Sequence, residues 1–403
     1  MFQVFSEIEP LRKVLLHRPG REIENVTPDE MSQLLFDDIP YLPAMQKEHD
    51  VFADTLRSQG VEVVYLHDWM TTCLQDDEPR IRFLERMAEA SMMAQGRSAS
   101  ALKEYLLDLD AGAFVEKMMS GVRKEELPEQ RRQHLYELMT KHYPFYLAPM
   151  PNLYFTRDPA AVIGHGISLN PMSQEARKRE SMFMECILEE DAGLQHVPRW
   201  MTRDHPFPVE GGDQLVLDRW TVAIGVSERT SARAVEDLAA SLFASSDFQR
   251  VVVVEIPKKR ASMHLDTVFT MVDTDQFTTH AEVIDKDGQM NIFLLERGDP
   301  LTITRWSSLS AALKEVLGLS EINMIPCGGG DKIASAREQW NDGSNTLAVA
   351  PGVVVTYERN YVSNELMRRN GLQVLEVPSS ELVRGRGGPR CMSMPLVRGD
   401  SRA

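Results

Sequence analysis

Short runs of strand-forming residues recur along the whole chain, and stretches with helical spacing separate them. β-Branched and aromatic residues are frequent in these runs, which favours strands, whereas apolar residues repeat every three or four positions in the stretches between them. The strand-like runs lie at residues 13–16, 61–65, 251–254, 353–357 and 373–377, and the helical stretches include residues 231–243 and 309–317. This alternation indicates an α/β or α+β fold.

One region, from about Asp76 to Lys141, breaks the alternation. It has no strand pattern, and its apolar residues fall at helical spacing. These are Leu102, Tyr105, Leu106, Leu109, Leu135, Leu138 and Met139. We predict an all-helical insertion at residues 74–143 within a single domain that spans residues 1–403. Its methionines are Met87, Met92, Met93, Met118, Met119 and Met139. We expect them to fill gaps between helices, as methionine readily does.

The composition excludes several classes of protein. The 60 acidic residues outnumber the 44 lysines and arginines, giving a formal net charge of -16, which disfavours nucleic acid as the main partner. No apolar segment is long enough to cross a bilayer, and the first residues lack the pattern of a secretory signal, so we expect a cytoplasmic protein. The four cysteines have no metal-ligand spacing, so we expect neither a zinc site nor a disulfide framework.

A single thiol, Cys391, ends a glycine-rich and basic loop with the sequence RGRGGPRC. The arginines Arg384, Arg386 and Arg390 are expected to favour the thiolate, which is the reactive form. The glycines allow a sharp turn and the close approach of a ligand. Cys391 is therefore our candidate nucleophile, although a buried cysteine that only fills the core gives the same pattern.

A histidine and a carboxylate lie close together in the segment MHLDTVF at residues 263–269. We interpret this segment as a strand, on which His264 and Asp266 share one face because side chains alternate with a period of two. They would then form one wall of a site. A solvated polar face is the alternative interpretation.

Turns supply further polar candidates. Glu210 precedes two glycines, which let another backbone approach closely, and Asp158 belongs to a turn-forming Asp-Pro pair downstream of Asn152 and Phe155. Arg229 lies where a predicted strand gives way to a helix, and such a junction can bind an anion. Ordinary surface turns account for the same residues.

A thiol together with a histidine can perform nucleophilic substitution, and flanking carboxylates imply a cationic electrophile. A guanidinium fits, because its planar fork of N–H donors pairs with carboxylates in bidentate fashion. A papain-like cysteine protease is a weaker interpretation, since unpaired aspartates beside a neutral peptide are costly to bury. A non-catalytic arginine-binding protein, in which Cys391 only packs, stays open.

The motifs together resemble those of arginine deiminases of the guanidine-modifying (pentein) superfamily. They are RGRGGPRCMSM at residues 384–394, FTRD at 155–158, EGGD at 210–213 and MHLD at 263–266, with SEI at 6–8, LFDDI at 35–39, EHD at 48–50 and GGGD at 328–331. The resemblance implies an α/β fold of five blades, a pseudo-symmetric propeller around the active site, with the helical region as an inserted bundle.

The resemblance also implies a mechanism. Cys391 attacks the guanidinium carbon of L-arginine, while Asp158 and Asp266 bind its nitrogens. His264, oriented by Glu210, protonates the departing ammonia and then activates the water that hydrolyses the amidino-cysteine intermediate and releases citrulline. No metal or cofactor is expected, L-arginine is the expected small-molecule partner, and we expect a homo-oligomer.

The residues implied around the amino-acid end of the substrate are Asn152, Phe155, Arg177, Arg229 and Arg386. Arg177 and Arg229 are expected to meet the α-carboxylate, and Arg386 to cover the occupied site. Arg179 is an alternative to Arg177, and both belong to a charged run that is also typical of a solvated helix face.

Other reactions of the superfamily are hydrolysis of agmatine or methylated arginine, and amidino transfer to an amine. A substrate that carries a carboxylate suits two arginines better, which disfavours agmatine.

The aspartates have a consequence for the nucleophile. Asp158 and Asp266 are expected to raise the pKa of the Cys391 thiol in the empty enzyme, and a bound guanidinium would neutralise them. We therefore expect the substrate to help activate its own nucleophile.

Overall fold

Strands and helices alternate along the described chain, which comprises residues 2–91, 97–127, 143–280 and 290–399 of a computed structural model. The α-helices are α1 (Arg21–Glu24), α2 (Leu42–Ser58), α3 (Leu66–Cys73), α4 (Asp77–Ala90), α5 (Arg97–Leu107), α6 (Ala111–Ser120), α7 (Ser181–Glu190), α8 (Ala232–Ser245), α9 (Leu309–Leu317), α10 (Lys332–Trp340) and α11 (Tyr361–Arg369). The strands are β1 (Leu11–Leu16), β2 (Glu62–Tyr65), β3 (Val122–Arg123), β4 (Phe145–Leu147), β5 (Ala160–Ile163), β6 (Gly166–Leu169), β7 (Arg199–Met201), β8 (Gln214–Asp218), β9 (Thr221–Val226), β10 (Arg250–Glu255), β11 (Phe269–Met271), β12 (Gln276–Thr279), β13 (Ile292–Glu296), β14 (Thr302–Trp306), β15 (Asn323–Pro326), β16 (Leu347–Ala350), β17 (Val353–Tyr357), β18 (Gln373–Val377) and β19 (Met394–Arg398).

The mixed α/β class is confirmed, as are the strands and helices named from the sequence. The predicted strands correspond to β1, β2, β10, β17 and β18, and the predicted helices to α8 and α9. Ser231, at the start of the first of these helices, caps it by accepting a hydrogen bond from the backbone of Ala234.

The same three-strand unit recurs in five of the sheets formed by the described residues. In each unit an antiparallel pair is followed by a third strand that runs parallel to the second. The units are β19-β1-β2, β5-β6-β7, β8-β9-β10, β11-β12-β15 and β16-β17-β18. Every parallel step contains a helix, because parallel neighbours need a long crossover connection. The unit that contains β10 is extended by β13 and β14 into a sheet of five strands.

The two ends of the chain meet in one of these units. β1 lies between β2, its parallel neighbour, and β19 from the C-terminal end. Val14, Leu15 and Leu16 of β1 are almost fully buried, so side chains on both faces of this central strand pack into the core. In this antiparallel pairing Leu11, at the start of β1, lies opposite Arg398, at the end of β19.

The interpretation of residues 263–269 as a strand is wrong. A 3₁₀ turn occupies Leu265–Thr267, and the strand begins only at Phe269. Side chains take the hydrogen bonds that a strand would need: Asp213 Oδ1 accepts from the Leu265 N–H at 2.7 Å, and the Thr267 hydroxyl donates to the His264 carbonyl at 2.7 Å.

The region predicted to be an all-helical insertion contains α4, α5 and α6 among its described residues, but also the short strand β3. The chain turns at Gly121, where φ is +82°, and Val122 then pairs with Leu147 of β4. The described part of the region is therefore mostly, not wholly, helical. Leu102 and Leu106 are buried at the predicted helical spacing, and Leu135, Leu138 and Met139 lie outside the described residues.

Methionine fills the core of this region as expected. Met87, Met118 and Met119 are buried in a hydrophobic cluster that continues into the sheets, while Met92 and Met93 are outside the described residues. None of the helices within the described ranges has the length and apolar character required to cross a bilayer.

Leu15→Ala tests the central position of β1. Because Leu15 is only 1% exposed, its truncation should leave a cavity and lower the free energy of unfolding by about 2–5 kcal/mol. Leu107→Ala is the matched control, since Leu107 is 36% exposed and should cost much less. Urea denaturation measures both, and equal effects would contradict the burial described for β1.

Candidate active site

Most of the polar residues singled out in the sequence line one narrow cavity, and Glu210 and Asp266 contact residues of that lining. Its lining contains Leu35, Asn152, Phe155, Asp158, Arg177, Arg229, Arg260, Met263, His264, Thr267, Gly385, Arg386 and Cys391. Cys391 and His264, which are 127 positions apart in the sequence, thus line the same cavity, and both are almost fully buried. The free volume is about 20 Å³, little more than the space of one water molecule, so a larger ligand requires side chains to move.

His264 lies between two carboxylates. Its Nε2 is 2.7 Å from Glu210 Oε2, and its Nδ1 is 3.8 Å from Asp158 Oδ1. Burial alone would lower the pKa of His264, but Asp158 and the hydrogen bond to Glu210 outweigh it and raise that pKa to about 9. Burial would raise the pKa of Glu210, but Arg229 and His264 hold it below its usual range. The pair is therefore an imidazolium and a carboxylate at neutral pH.

Two glycines after Glu210 make this arrangement possible. The Gly211 N–H donates to the Asp158 carbonyl and the Gly212 N–H to Asp158 Oδ1, both at 3.1 Å. A side chain at Gly212 would place its Cβ 2.7 Å from the His264 ring, so only glycine fits there. The sequence signal of a close backbone approach is confirmed at this turn.

Asp158 is held by Arg177, whose Nη1 donates to Asp158 Oδ2 at 2.7 Å. Nη2 of the same guanidinium lies 2.8 Å from Glu180 Oε2. Arg179 points elsewhere and donates to the Ala148 carbonyl at 2.9 Å. Of the two arginines that the sequence left open, Arg177 is thus the one in the cavity, and it is already paired with two carboxylates.

Cys391 Sγ lies 3.6 Å from Asp266 Oδ2 and accepts a hydrogen bond from Asn345 Nδ2 at 3.1 Å. Burial raises the pKa of the Cys391 thiol well above its usual value, and Asp266 and Asp158 raise it further, as expected from the sequence. Arg390 lowers it but does not reverse the direction. The thiol, not the thiolate, therefore prevails in the empty site.

The expectation that the loop arginines favour the thiolate holds only for Arg390, and burial together with the aspartates outweighs its effect on the pKa of Cys391. Arg384 pairs with Asp38 and Glu381 at the surface. Arg386 stacks on the Trp340 ring, with its Cζ 3.5 Å from the ring centroid. Proximity in sequence did not reveal that these side chains point to partners other than the sulfur.

Glu7 and Arg390 were not predicted as site residues, yet they fix Asp266. Arg390 Nη1 donates to Asp266 Oδ2 at 2.8 Å, and its Nε and Nη2 donate to Glu7 at 3.0 and 3.1 Å. Burial would raise the pKa of Glu7, but Arg390 and Arg157 lower it to about 2. The ion pair joins residues 383 positions apart in the sequence. The sequence offered only the motif SEI and the loop arginine as signals.

Two arginines of the lining keep N–H groups without a hydrogen-bond partner. These are Nε and Nη1 of both Arg229 and Arg386. Arg229 Nη1 lies 3.6 Å from Glu210 Oε2, beyond hydrogen-bond distance. Arg386, which has a φ of +67° at the end of a 3₁₀ turn, is part of the cavity lining. Unpaired buried donors of this kind suit an anionic group of a ligand.

Asn152 and Phe155 complete the lining on the side of Arg177. Asn152 Nδ2 donates to the Leu34 carbonyl at 2.8 Å, and the carbonyl of Phe155 faces Arg177 Nη2 at 3.4 Å. A side chain at Gly387 would place its Cβ 2.2 Å from the Phe155 ring, so the glycine-rich loop packs directly on this residue.

Asp158, Glu210 and His264 also offer three ligand atoms within 4.8 Å of one another, a spacing that suits a metal ion. Both carboxylates already accept hydrogen bonds from protein groups. Arg177 and Arg229 place positive charge beside them, which disfavours a further cation. That no metal takes part stays a prediction.

The sequence of the chain is similar to those of arginine deiminases. The family model described as arginine deiminase matches residues 32–398. The arginine deiminase of Bacillus cereus is 58% identical over 403 residues, with 98% of each chain covered. That of Listeria innocua is 51% identical over 401 residues, again with 98% of each chain covered.

Solved structures of more distant proteins share the mixed α/β fold. SxtG, an amidinotransferase from Microseira wollei, is 13% identical with a TM-score of 0.58, covering 100% of this chain and 99% of its own. A dimethylarginine dimethylaminohydrolase adduct with S-methyl-L-thiocitrulline is 15% identical with a TM-score of 0.53, covering 95% and 99%. At these identities the likeness concerns the fold alone.

Glu210→Gln tests the charge state of His264. Loss of the Glu210 charge should lower the pKa of His264 by about one unit or more, because the imidazolium loses the carboxylate that is hydrogen-bonded to it and keeps Asp158 and Asp213. Imidazole NMR titration measures this, with the His264 signal assigned by its loss in His264→Gln. Glu236→Gln, at an exposed position on α8, is the matched control. The same His264 pKa in both variants would contradict the proposed ion pair.

Proposed function

The chain belongs to the arginine deiminase family, and we propose that the enclosed site is where it hydrolyses L-arginine to L-citrulline and ammonia. The observation that carries the proposal is the convergence of a thiol, an imidazolium and Asp158 on one buried cavity, with Asp266 Oδ2 3.6 Å from the thiol sulfur. Family membership makes the chain a hydrolase of an amidine C–N bond, so the protease and the non-catalytic alternatives are set aside.

Asp158 and Asp266 bind the guanidinium of the substrate. Asp266 Oδ1 is buried without a hydrogen-bond partner, since Arg390 engages only Oδ2. Asp158 carries two occupied oxygens, but each carboxylate oxygen can accept more than one hydrogen bond. A guanidinium held by both aspartates presents its central carbon to Cys391.

The bound cation also changes the nucleophile. Asp266 and Asp158 disfavour a negative sulfur in the empty site, and a guanidinium between them cancels that repulsion. The Cys391 proton then passes to solvent, where it later converts the released ammonia to ammonium, and the thiolate attacks the guanidinium carbon to give a neutral tetrahedral adduct.

His264 moves the protons in both halves of the reaction. Nε2 is bonded to Glu210, so Nδ1, on the side of Asp158, donates the proton as the C–N bond breaks and ammonia leaves. The product is a cationic amidino-cysteine. Neutral His264 next takes a proton from water, and the hydroxide adds to the amidino carbon. The C–S bond then breaks, the hydroxyl proton of the adduct passes to the leaving thiolate, and neutral citrulline leaves. One arginine cation and one water thereby give citrulline and ammonium.

The amino-acid end of the substrate lies towards Arg229 and Arg386. Both have unpaired N–H donors that can bind the α-carboxylate, whereas Arg177 is saturated by Asp158 and Glu180. Arg177 therefore contributes mainly by holding Asp158 in place. Asn152 and Phe155 bound the cavity on the same side.

Unpaired arginine donors favour a substrate with a carboxylate over agmatine. Methylated arginine and amidino transfer are disfavoured by the family, since the matching family model and the similar curated proteins are arginine deiminases.

The five three-strand units support a five-bladed arrangement around the site, interrupted by a helical insertion at residues 74–143. Each site segment follows or precedes a strand of a different unit: Asp158 precedes β5, Glu210 precedes β8, Asp266 precedes β11 and Cys391 precedes β19. Side chains at equivalent ends of repeated units would meet near a common axis. A cytoplasmic location and a homo-oligomeric state are further predictions.

Cys391→Ser should abolish citrulline formation from L-arginine, because serine is a much weaker nucleophile in a site that lacks a strong base for it. Colorimetric citrulline and ammonia assays measure this, and mass spectrometry of the unsubstituted protein during turnover should find the amidino group on Cys391. Cys73→Ser is the matched control, and its activity should be unchanged. Turnover by Cys391→Ser comparable to that of the control would contradict covalent catalysis.

Arg229→Gln should reduce the preference for L-arginine over agmatine by about 10–100-fold in kcat/KM, the range expected for losing a charge-assisted hydrogen bond. The ratio of the two kcat/KM values isolates this contact, because agmatine has no carboxylate that Arg229 could bind. Arg219→Gln, at an exposed position, is the matched control and should leave the ratio unchanged. An unchanged ratio in Arg229→Gln would mean that Arg229 does not bind the carboxylate.

A further inference from the structure

Asn345 contacts Cys391 with both ends of its side-chain amide. Its Oδ1 accepts from the Cys391 backbone N–H at 3.0 Å, and its Nδ2 donates to Cys391 Sγ at 3.1 Å. Nδ2 also lies 3.3 Å from the Asp266 carbonyl oxygen, to which it donates. Asn345 is fully buried in the turn before β16, where its own N–H donates to the Asp342 carbonyl at 2.9 Å.

Two backbone groups fix the orientation of this amide. If the amide were flipped, its NH₂ would face the Cys391 N–H, a donor, and its oxygen would face the Asp266 carbonyl, an acceptor. Both contacts would be repulsive, so the NH₂ must lie on the side of the sulfur. The sulfur therefore accepts a hydrogen bond from a neutral donor, the side-chain N–H of Asn345.

We propose that Asn345 is a further catalytic residue, which stabilises negative charge on the Cys391 sulfur by donating a hydrogen bond to it. The inference rests on the proposed function, because it concerns the nucleophile of that reaction. Hydrogen bonding to the charged form of a group favours that form. Near Asp266 and Asp158, a neutral donor stabilises the sulfur without adding a cation that would compete with the substrate for the aspartates.

The donor acts twice in the reaction. When the guanidinium is bound, the N–H of Asn345 stabilises the thiolate that forms before attack. When hydroxide has added to the amidino-cysteine, the C–S bond breaks and the electron pair returns to sulfur, which again accepts from Asn345. A lower-energy thiolate leaves faster, so both halves of the reaction depend on the same N–H.

Hydrogen bonds other than those of Asn345 also hold the loop around Cys391. The Arg157 N–H donates to the Cys391 carbonyl at 3.1 Å, and the Met392 N–H donates to the Gly388 carbonyl at 3.1 Å. The Ser393 hydroxyl also donates to the Pro389 carbonyl at 2.9 Å. Because these bonds hold the backbone on both sides of Cys391, the bond from Nδ2 to sulfur has a chemical role that packing does not explain.

The test is the pH dependence of Cys391 alkylation by iodoacetamide in the absence of substrate. Mass spectrometry of the Cys391 peptide separates it from the other three cysteines. Asn345→Ala removes the donor and should raise the midpoint pH of alkylation by about one unit, a tenfold smaller thiolate fraction at a given pH below it. Asn345→Asp keeps an acceptor for the Cys391 N–H but replaces the donor with an oxygen, and should raise the midpoint at least as much.

Asn364→Asp is the matched control. Asn364 is also fully buried, donates to the Tyr357 carbonyl and Glu376, and accepts from Thr356, but it has no contact with the sulfur. Its alkylation midpoint should equal that of the unsubstituted protein. Midpoints of Asn345→Ala and Asn345→Asp that also equal it would overturn the proposal. If Asn345→Ala does not unfold cooperatively on heating, it is not folded, and the alkylation midpoint of Asn345→Asp then decides whether the proposal holds.

If neither variant folds, a measurement on the unsubstituted protein tests the proposal. The ¹⁵N resonance of the Asn345 side-chain amide should titrate at the Cys391 alkylation midpoint and should not titrate in Cys391→Ala. A resonance that is independent of pH in both proteins would overturn the proposal. Alkylation and NMR need no substrate, so their outcome is distinct from that of the citrulline assay, which tests the proposed function itself.

Discussion

Buried carboxylates must be balanced by buried cations, and the site is built around this requirement. Asp158, Glu210 and Asp266 are at most 2% exposed, and each lies beside one arginine. The pairs are Asp158 with Arg177, Glu210 with Arg229, and Asp266 with Arg390. Without these arginines the carboxylates would take up protons or draw water into the site, since an unpaired buried charge is unfavourable by several kcal/mol.

The pairs leave the site short of positive charge near the sulfur. Arg390 engages only one oxygen of Asp266, and Arg177 is shared between Asp158 and Glu180, so the thiol of Cys391 remains protonated. A guanidinium substrate supplies the missing cation. The same electrostatics therefore account for affinity for a planar cation and for the timing of thiolate formation.

Much of the site was predicted from the sequence because its residues lie in short motifs. Asp158, Glu210, His264 and Cys391 were named and do meet in the structure, as does Asp266 behind the cavity wall. The reason given for His264 and Asp266 was wrong, however. A period-two pattern predicted a strand, whereas the segment forms a 3₁₀ turn in which the Leu265 N–H donates to Asp213 and the Thr267 hydroxyl donates to the His264 carbonyl. Periodicity does not detect such bonds.

The contacts that the sequence did not predict depend on long-range pairing. Glu7 and Arg390 are 383 positions apart, and Asn345 reaches Cys391, 46 positions away, from the segment before β16. The effect of the loop arginines on the thiol was likewise misjudged, because the direction of a pKa shift depends on burial and on where each side chain points. Alternation of strands and helices predicted the α/β class, but the five repeated units appear only in the strand pairing.

The most direct measurement of the central claim is thiolate formation at Cys391 when a ligand binds, followed by ultraviolet thiolate absorbance across pH. A non-hydrolysed guanidinium analogue of arginine should lower the midpoint pH of thiolate formation, whereas L-citrulline, its neutral isostere, should not. Cys391→Ser, which should lose the signal, identifies the absorbing thiol. Equal midpoints with the cationic and the neutral ligand would show that the buried aspartates do not govern the nucleophile.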